Sequence, residues 1–250
     1  MKKVFYTFGL LAISLMSCES NSDDGPILPI NNNSILPTKV DIANSDGSTE
    51  TIQYTYSGMT LIKEESSEGY YTDFIYGNNK LTDINFYDAP NDPILESYTY
   101  DTQGRIATIS TNIVGVGVYD YSLAYSANNT VITTTSTTIP GNPTDVLTIS
   151  NENIATYVEG GIFTNTYTYD TQNAPFKNIT NRNILRTIDS ENNSAIFFTL
   201  NNLLTEDIQS TSVNENYTYT YTYTTDGFPR IATENDGGDL TTYTYTYNND

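Results

Sequence analysis

The chain has no histidine and no tryptophan, a single cysteine, and 10 basic residues against 30 acidic ones across 250 positions. Without histidine there is no imidazole base, no His-based triad and no His-ligated metal. One cysteine permits neither an internal disulfide nor a Cys-rich zinc site. A formal net charge of −20 and a pI near 4.1 argue against a binder of phosphate backbones, so no nucleic-acid partner is expected. Long apolar runs are missing apart from one near the start, and no window has helical periodicity. Every other apolar stretch alternates or is short.

What is present points to a sheet. Tyrosine occurs 22 times and phenylalanine 9 times, threonine is the commonest residue, and asparagine is abundant. Tyr, Thr, Ile and Val favour strands, whereas Asn and Gly favour turns. A hydrophobic content of 37% is low for a globular core, yet the chain is too aromatic and too patterned for disorder. A sheet with one buried face satisfies both facts.

The first residues read as an address. Met1-Lys2-Lys3 is basic, and Val4 to Leu15 is apolar but too short to span a bilayer. The run ends in Leu15-Met16-Ser17-Cys18, which resembles the bacterial lipobox, although Met16 departs from the usual small residue. The resemblance implies cleavage before Cys18, lipidation of that residue and a membrane partner through the acyl anchor. Next comes Glu19-Ser20-Asn21-Ser22-Asp23-Asp24, in which Ser22, Asp23 and Asp24 resemble the surface-export signal of Bacteroidetes lipoproteins. That implies the outer face of the outer membrane; the alternative is the periplasmic face. Three segments follow: a signal peptide over 1–17, a lipidated Cys and flexible tether over 18–38, and a repeat β-domain over 39–250. Gly25, Pro26, Pro29, Asn31-Asn32-Asn33 and Pro37 suit the tether.

The β-domain repeats one unit: an alternating aromatic strand, a polar turn, then an apolar-polar strand. Tyr98-Thr99-Tyr100-Asp101-Thr102-Gln103-Gly104-Arg105-Ile106 is the clearest copy. Tyr221-Thr222-Tyr223-Thr224-Thr225-Asp226-Gly227-Phe228-Pro229-Arg230 is a second, and Tyr167-Thr168-Tyr169-Asp170 a degenerate third. Weaker copies begin at Tyr54, Phe74, Leu123 and Phe197, and Tyr243 to Tyr247 ends the chain as a strand without a partner. Alternation places the tyrosines on one face and the threonines on the other. The reading is an all-β, antiparallel hairpin meander of about 16–17 strands that curls into a wide barrel or trough, because open edges invite pairing with other chains; a β-sandwich is the alternative. The aromatic face is expected inside and the Thr face in water, the reverse of a membrane barrel.

The copy at 98–109 resembles the YD repeat of Rhs-type proteins. Tyr98, Tyr100, Asp101, Gly104 and Arg105 match its core, and Ile106 replaces a leucine. Tyr167, Tyr169 and Asp170, and Tyr221, Tyr223, Asp226, Gly227 and Arg230, match in part. The irregular copies and the missing toxin segment do not support the encapsulating role of those proteins. Residues 39–250 are also similar to short YD-like surface lipoproteins of Bacteroidetes, whose function is unknown and whose sheet is porin-like.

Candidate chemistry is sparse. No acid sits in a catalytic motif, so no catalytic residue is assigned. Calcium is the metal the composition admits, with Asn44-Ser45-Asp46-Gly47 and Glu234-Asn235-Asp236-Gly237-Gly238-Asp239 as the segments to inspect. No cofactor is expected. Arg105 and Arg230 are read as equivalent repeat positions that pair with Asp or cover a Tyr face. The functional expectation is a lipid-anchored, non-enzymatic surface module for a glycan, peptide or partner protein. A shielding envelope component is the alternative, and a carboxylate-based glycoside hydrolase a distant third.

Overall fold

The computed structural model describes residues 34–88, 93–189 and 198–250. Cys18 and the Ser22-Asp23-Asp24 triplet lie outside the described residues. The chain runs β1 (Pro37–Asn44), β2 (Thr49–Ser57), β3 (Thr60–Ser66), β4 (Tyr71–Gly77), β5 (Lys80–Tyr87), β6 (Pro93–Tyr100), β7 (Ile106–Ile113) and β8 (Gly117–Tyr125). It continues through β9 (Val131–Ser136), β10 (Thr144–Ser150), β11 (Asn153–Glu159), β12 (Phe163–Tyr169), helix α1 (Arg182–Asp189), β13 (Leu203–Gln209), β14 (Asn214–Tyr223), β15 (Pro229–Asp236) and β16 (Asp239–Tyr247).

Each strand pairs antiparallel with its neighbours in sequence, and β1 pairs with β16, so the sheet is a closed barrel of 16 strands. The final Tyr-Thr-Tyr-Thr-Tyr segment, expected to lack a partner, is the closing strand: Val40 lies opposite Tyr245 and Ile42 opposite Tyr243. Closure leaves no free edge. The barrel begins at Pro37, inside the segment read as tether, and Leu36 is fully buried.

Alternation sets the two faces. Tyr98 is buried, Tyr100 half-buried and Thr99 exposed; Tyr167, Tyr169 and Thr168 repeat the pattern, as do Tyr245, Tyr243 and Thr244. Outside, Thr99 meets Thr108 at 2.6 Å and Thr168 meets Thr205 at 2.7 Å. Inside, Tyr54, Tyr56, Leu61, Leu81, Ile106, Ile109 and Tyr245 join one apolar cluster, and Ile132, Ile154, Tyr157, Tyr167, Leu203 and Tyr217 a second.

One end of the barrel carries a recurring irregularity. Ladders slip by one residue just before Tyr56, Tyr76, Tyr100, Tyr169 and Tyr223, because the facing strand holds an extra residue. A bulge leaves ladder groups unpaired, and a buried carbonyl needs a donor. Tyrosine hydroxyls supply it. Tyr56 donates to the carbonyl of Pro37 at 2.7 Å, Tyr100 to Leu81 at 2.5 Å, Tyr125 to Ile106 at 2.9 Å, Tyr221 to Leu203 at 2.6 Å and Tyr247 to Pro229 at 2.8 Å.

That end is covered by the long connection between β12 and β13. It includes α1, a helix the sequence reading did not contain. The segment at 197–202, read as a weak repeat copy, is not a strand over its described residues. Leu185 and Ile188 give the helix a single apolar stripe, interrupted by Arg182 and Arg186, which are buried as well. The connection reaches turns from around the barrel. Thr180 N–H donates to the carbonyl of Met59, Asn173 N–H to Gly227, and the Asn178 amide to Ile35. Phe176 packs edge-on against Tyr54, with ring centroids 4.9 Å apart. Glu152 anchors the helix: its carboxylate pairs with Arg182 at 2.6 Å, and its carbonyl accepts from Arg186. Asn151 and Glu152 both hold left-handed φ, 50° and 63°, as the two residues of the tight β10–β11 hairpin turn.

Candidate functional site

The repeat residues fall into structural roles. The Asp101 carboxylate accepts from the backbone N–H of Gln103 and of Arg105, both at 2.9 Å, and pairs with the Arg105 guanidinium at 2.6 Å. These contacts hold the Asp101 carboxyl below its usual range, with the Arg105 backbone N–H foremost. Gly104 closes the turn with φ of 80°, and Arg105 lies 4.3 Å over the Tyr125 ring. Lys80 likewise covers Tyr100, at 4.6 Å.

The β14–β15 turn has the same hydrogen bonds in the same places. Thr224 N–H donates to Phe228 O as Asp101 N–H donates to Arg105 O, and Gly227 N–H bonds to Thr224 O as Gly104 N–H bonds to Asp101 O. Phe228 is therefore the counterpart of Arg105. The expected equivalence of Arg105 and Arg230 is corrected: Arg230 is the extra residue of the bulge and points away to Asp250, 3.7 Å off. The cause is composition. With Thr224 in place of Asp101, the position that meets the guanidinium carries no carboxylate, and a buried phenylalanine, Phe228, stands where Arg105 does.

Asp170 closes the base of the covering connection. Its carboxylate accepts from the Asn202 backbone and side-chain amides, both at 3.0 Å, and from the Tyr223 hydroxyl. The Asp226 carbonyl accepts from the Asn173 side chain at 2.8 Å. At Gly227, φ is 77°, a left-handed conformation that glycine adopts freely in this turn.

Asp170 also lines a concavity on the described surface. The β11–β12 ladder stops at Thr156 opposite Thr166. Beyond it the strands separate, and a cleft of about 520 Å³ opens between them. Its lining includes Asn151, Asn153, Tyr167, Tyr169, Asp170 and Asn201. Here the tyrosine latch is incomplete: the Tyr169 hydroxyl lies beside Ile154 without a full hydrogen bond. Asn153 fixes the floor, accepting from Leu200 N–H at 2.8 Å and donating to Asn201 at 3.0 Å. Sequence reading found Tyr167, Tyr169 and Asp170 but not the asparagines, which come from the β10–β11 turn, the first position of β11 and the covering connection.

Sequence reading also missed a set of inward acids. Glu50, Glu64, Glu96, Glu206 and Glu234 occupy positions of tyrosine parity, opposite or beside Tyr54, Tyr98, Tyr217 and Tyr219. Tyrosine hydroxyls of Tyr70 and Tyr98 donate to Glu50 and Glu96, and Tyr243 donates to Glu234 at 2.9 Å. Burial, with Glu50 nearby, raises the Glu64 carboxyl to about 7. Burial also raises Glu96. Of these five, only Glu96 carries a local signal, Glu96-Ser97-Tyr98, in which the spacing of two puts both side chains on one face.

Neither calcium candidate gathers ligands. Asp46 accepts from Ser48 within the β1–β2 turn, and 237–238 form the β15–β16 turn. Among the described residues no group of three or more Asp or Glu side chains is placed to hold a metal ion.

No protein-family profile and no curated protein matches the chain. Among the similar solved structures are two porin-like proteins. A porin-like protein from Bacteroides uniformis ATCC 8492 has a TM-score of 0.48 and 16% identity, covering 84% of this chain and 97% of its own. A porin-like protein from Bacteroides vulgatus ATCC 8482 has a TM-score of 0.36 and 8% identity, covering 85% of this chain and 99% of its own.

Proposed function

We propose that the chain is a non-catalytic binding barrel, held by acyl chains on Cys18 at the outer face of the outer membrane, that takes a neutral glycan in the β11–β12 cleft. The cleft carries this reading: two tyrosines, three asparagines and one aspartate converge on one concave surface where the ladder has opened. Sugar hydroxyls both donate and accept, and so do amide side chains and unladdered strand groups. A binding role without chemistry fits the single carboxylate, Asp170, which is already engaged by Asn202 and Tyr223. Glycoside hydrolysis requires a pair.

The barrel exterior supports tethering in water rather than embedding in lipid. Gln53, Ser97, Thr99, Thr108, Ser122, Thr166, Thr168, Thr218, Thr220 and Thr244 are exposed on it. Such a surface is costly in a bilayer core, where spanning strands turn apolar residues outward.

Native electrophoresis through gels containing soluble neutral polysaccharides tests the cleft. The wild type should be retarded by at least one of them, and Tyr169→Phe or Asn151→Ala should restore free mobility. Unchanged mobility of the wild type across uncharged polysaccharides of host, plant and microbial origin overturns the glycan reading.

A further inference from the structure

The barrel covers its latch tyrosines in a repeated way, and the cleft is where that cover lapses. At three latches the residue just before the accepting carbonyl lies against the tyrosine that donates to it. Lys80 precedes Leu81 and lies 4.6 Å over the Tyr100 ring. Arg105 precedes Ile106 and lies 4.3 Å over Tyr125. Phe228 precedes Pro229 and meets Tyr247 with ring centroids 5.7 Å apart. At a fourth latch the short Asn202 precedes Leu203, and there Tyr223 stacks on Tyr221 instead, with centroids 5.9 Å apart.

Asn153 holds the corresponding place before Ile154, beside which the Tyr169 hydroxyl lies. Its amide is tied into the floor instead, accepting from Leu200 N–H at 2.8 Å and donating to Asn201 at 3.0 Å. Among the described residues no cation and no aromatic ring stands over Tyr169. The Tyr169 hydroxyl is lodged in the wall, away from solvent, while the residue as a whole is half-buried, so what the side chain gives to the cleft is its ring. The neighbouring Asp170 carboxylate already accepts from Gln172 N–H, from both Asn202 amides and from Tyr223. The gap over Tyr169 therefore suits an uncharged face better than a second ion pair.

Resting on the glycan reading of the cleft, we propose that it holds a gluco-configured pyranose ring stacked on Tyr169, in the place that Lys80 and Arg105 fill over Tyr100 and Tyr125. The face of an aromatic ring is negative, and it attracts positively polarised C–H groups as it attracts cations. A pyranose whose hydroxyls are all equatorial turns axial C–H groups to both of its faces and points its hydroxyls outward from its rim. A furanose has no such flat C–H face. Stacked on Tyr169, the hydroxyl rim meets Asn151 and Thr168 in the cleft lining, and each of these can both donate and accept. The volume of about 520 Å³ lies within the range of small-molecule sites.

Affinity electrophoresis of the lipid-free mature chain, made with Cys18→Ser, compares hydroxyethyl cellulose, a gluco-configured pyranose chain, with levan, a furanose chain. Dissociation constants from the retardation should favour hydroxyethyl cellulose by about tenfold or more. Tyr169→Leu removes the stacking face and should weaken binding of hydroxyethyl cellulose by about the same factor. Asn153→Arg supplies the missing cover and should do likewise, read in a chain whose thermal midpoint stays near that of the wild type. Lys80→Asn bares Tyr100, away from the cleft, and should leave affinity unchanged. The wild-type preference decides the matter by itself if neither cleft variant folds. Levan bound as tightly as hydroxyethyl cellulose, retardation by some other neutral polysaccharide but not by hydroxyethyl cellulose, or full affinity in a folded Tyr169→Leu chain overturns the stacking and leaves the glycan cleft standing. Retardation by no neutral polysaccharide overturns both.

Discussion

The Tyr100 hydroxyl donates to the backbone carbonyl of Leu81 across 2.5 Å, joining the end of one strand to the start of the strand before it. The β5–β6 ladder begins at Asp83 opposite Ser97, so Leu81 lies beyond it and its carbonyl has no ladder partner toward β6. A side chain thus replaces a main-chain bond. Burial pushes the Tyr100 hydroxyl up to about 12, which keeps it a donor at any physiological pH.

Tyr100→Phe should therefore cost about 1–3 kcal/mol, the penalty of an unsatisfied buried carbonyl, with the ring still packed. Tyr98→Ala should cost about 3–5 kcal/mol through lost core volume. Thr99→Ala, on the exposed face between them, should stay near or below about 1 kcal/mol. Denaturant midpoints for the three variants check the order, and a Thr99 loss equal to that of Tyr98 would mean that the outer face is packed too.

Glu64 makes stability depend on pH. Its folded carboxyl titrates at about 7, above the unfolded value of 4.5, because burial among Tyr54, Tyr56 and Tyr70 and proximity to Glu50 disfavour the charge. The folded state binds the proton more tightly, so the stabilisation is complete below about pH 4.5 and is lost as pH rises through 7. Stability should fall between pH 5 and pH 8, and Glu64→Gln should flatten that fall. A wild-type midpoint that rises over this interval, with no change in Glu64→Gln, would contradict the assignment.

Cys18 should carry the anchor. Metabolic labelling with an alkyne fatty acid should tag the wild-type chain and miss Cys18→Ala. Label surviving in Cys18→Ala would remove the lipobox reading.

The acidic triplet should direct export. Protease added to intact cells should digest the wild type, whereas replacing Asp23 and Asp24 with Ala should protect the chain by leaving it periplasmic. Protection of the wild type until lysis would exclude surface exposure.

Local chemistry was legible in the chain: hairpin turns at Gly104 and Gly227, and the division of Tyr98 from Thr99. Long-range facts were not. Pairing of Val40 with Tyr245 joins opposite ends of the domain, and no local pattern announces it. Helix α1 carries one apolar stripe broken by two arginines whose partner, Glu152, comes from a distant turn. Arg230 misled because motif spacing counts residues, whereas a bulge adds one on a single strand. The inward acids were hidden because Glu at tyrosine parity looks like an exposed residue until the barrel closes around it. Half of the cleft had the same difficulty, since Asn201 reaches Asn153 only after the covering connection folds across the barrel end.

The central claim is a barrel with its aromatic face inside and its threonine face in water, whose contact with lipid runs through Cys18. Flotation of the unlipidated mature chain, made with Cys18→Ser, on a density gradient with phospholipid vesicles tests it most directly. The chain should stay with the dense fraction, monodisperse without detergent. Co-flotation with the vesicles, or a requirement for detergent to remain in solution, would contradict it.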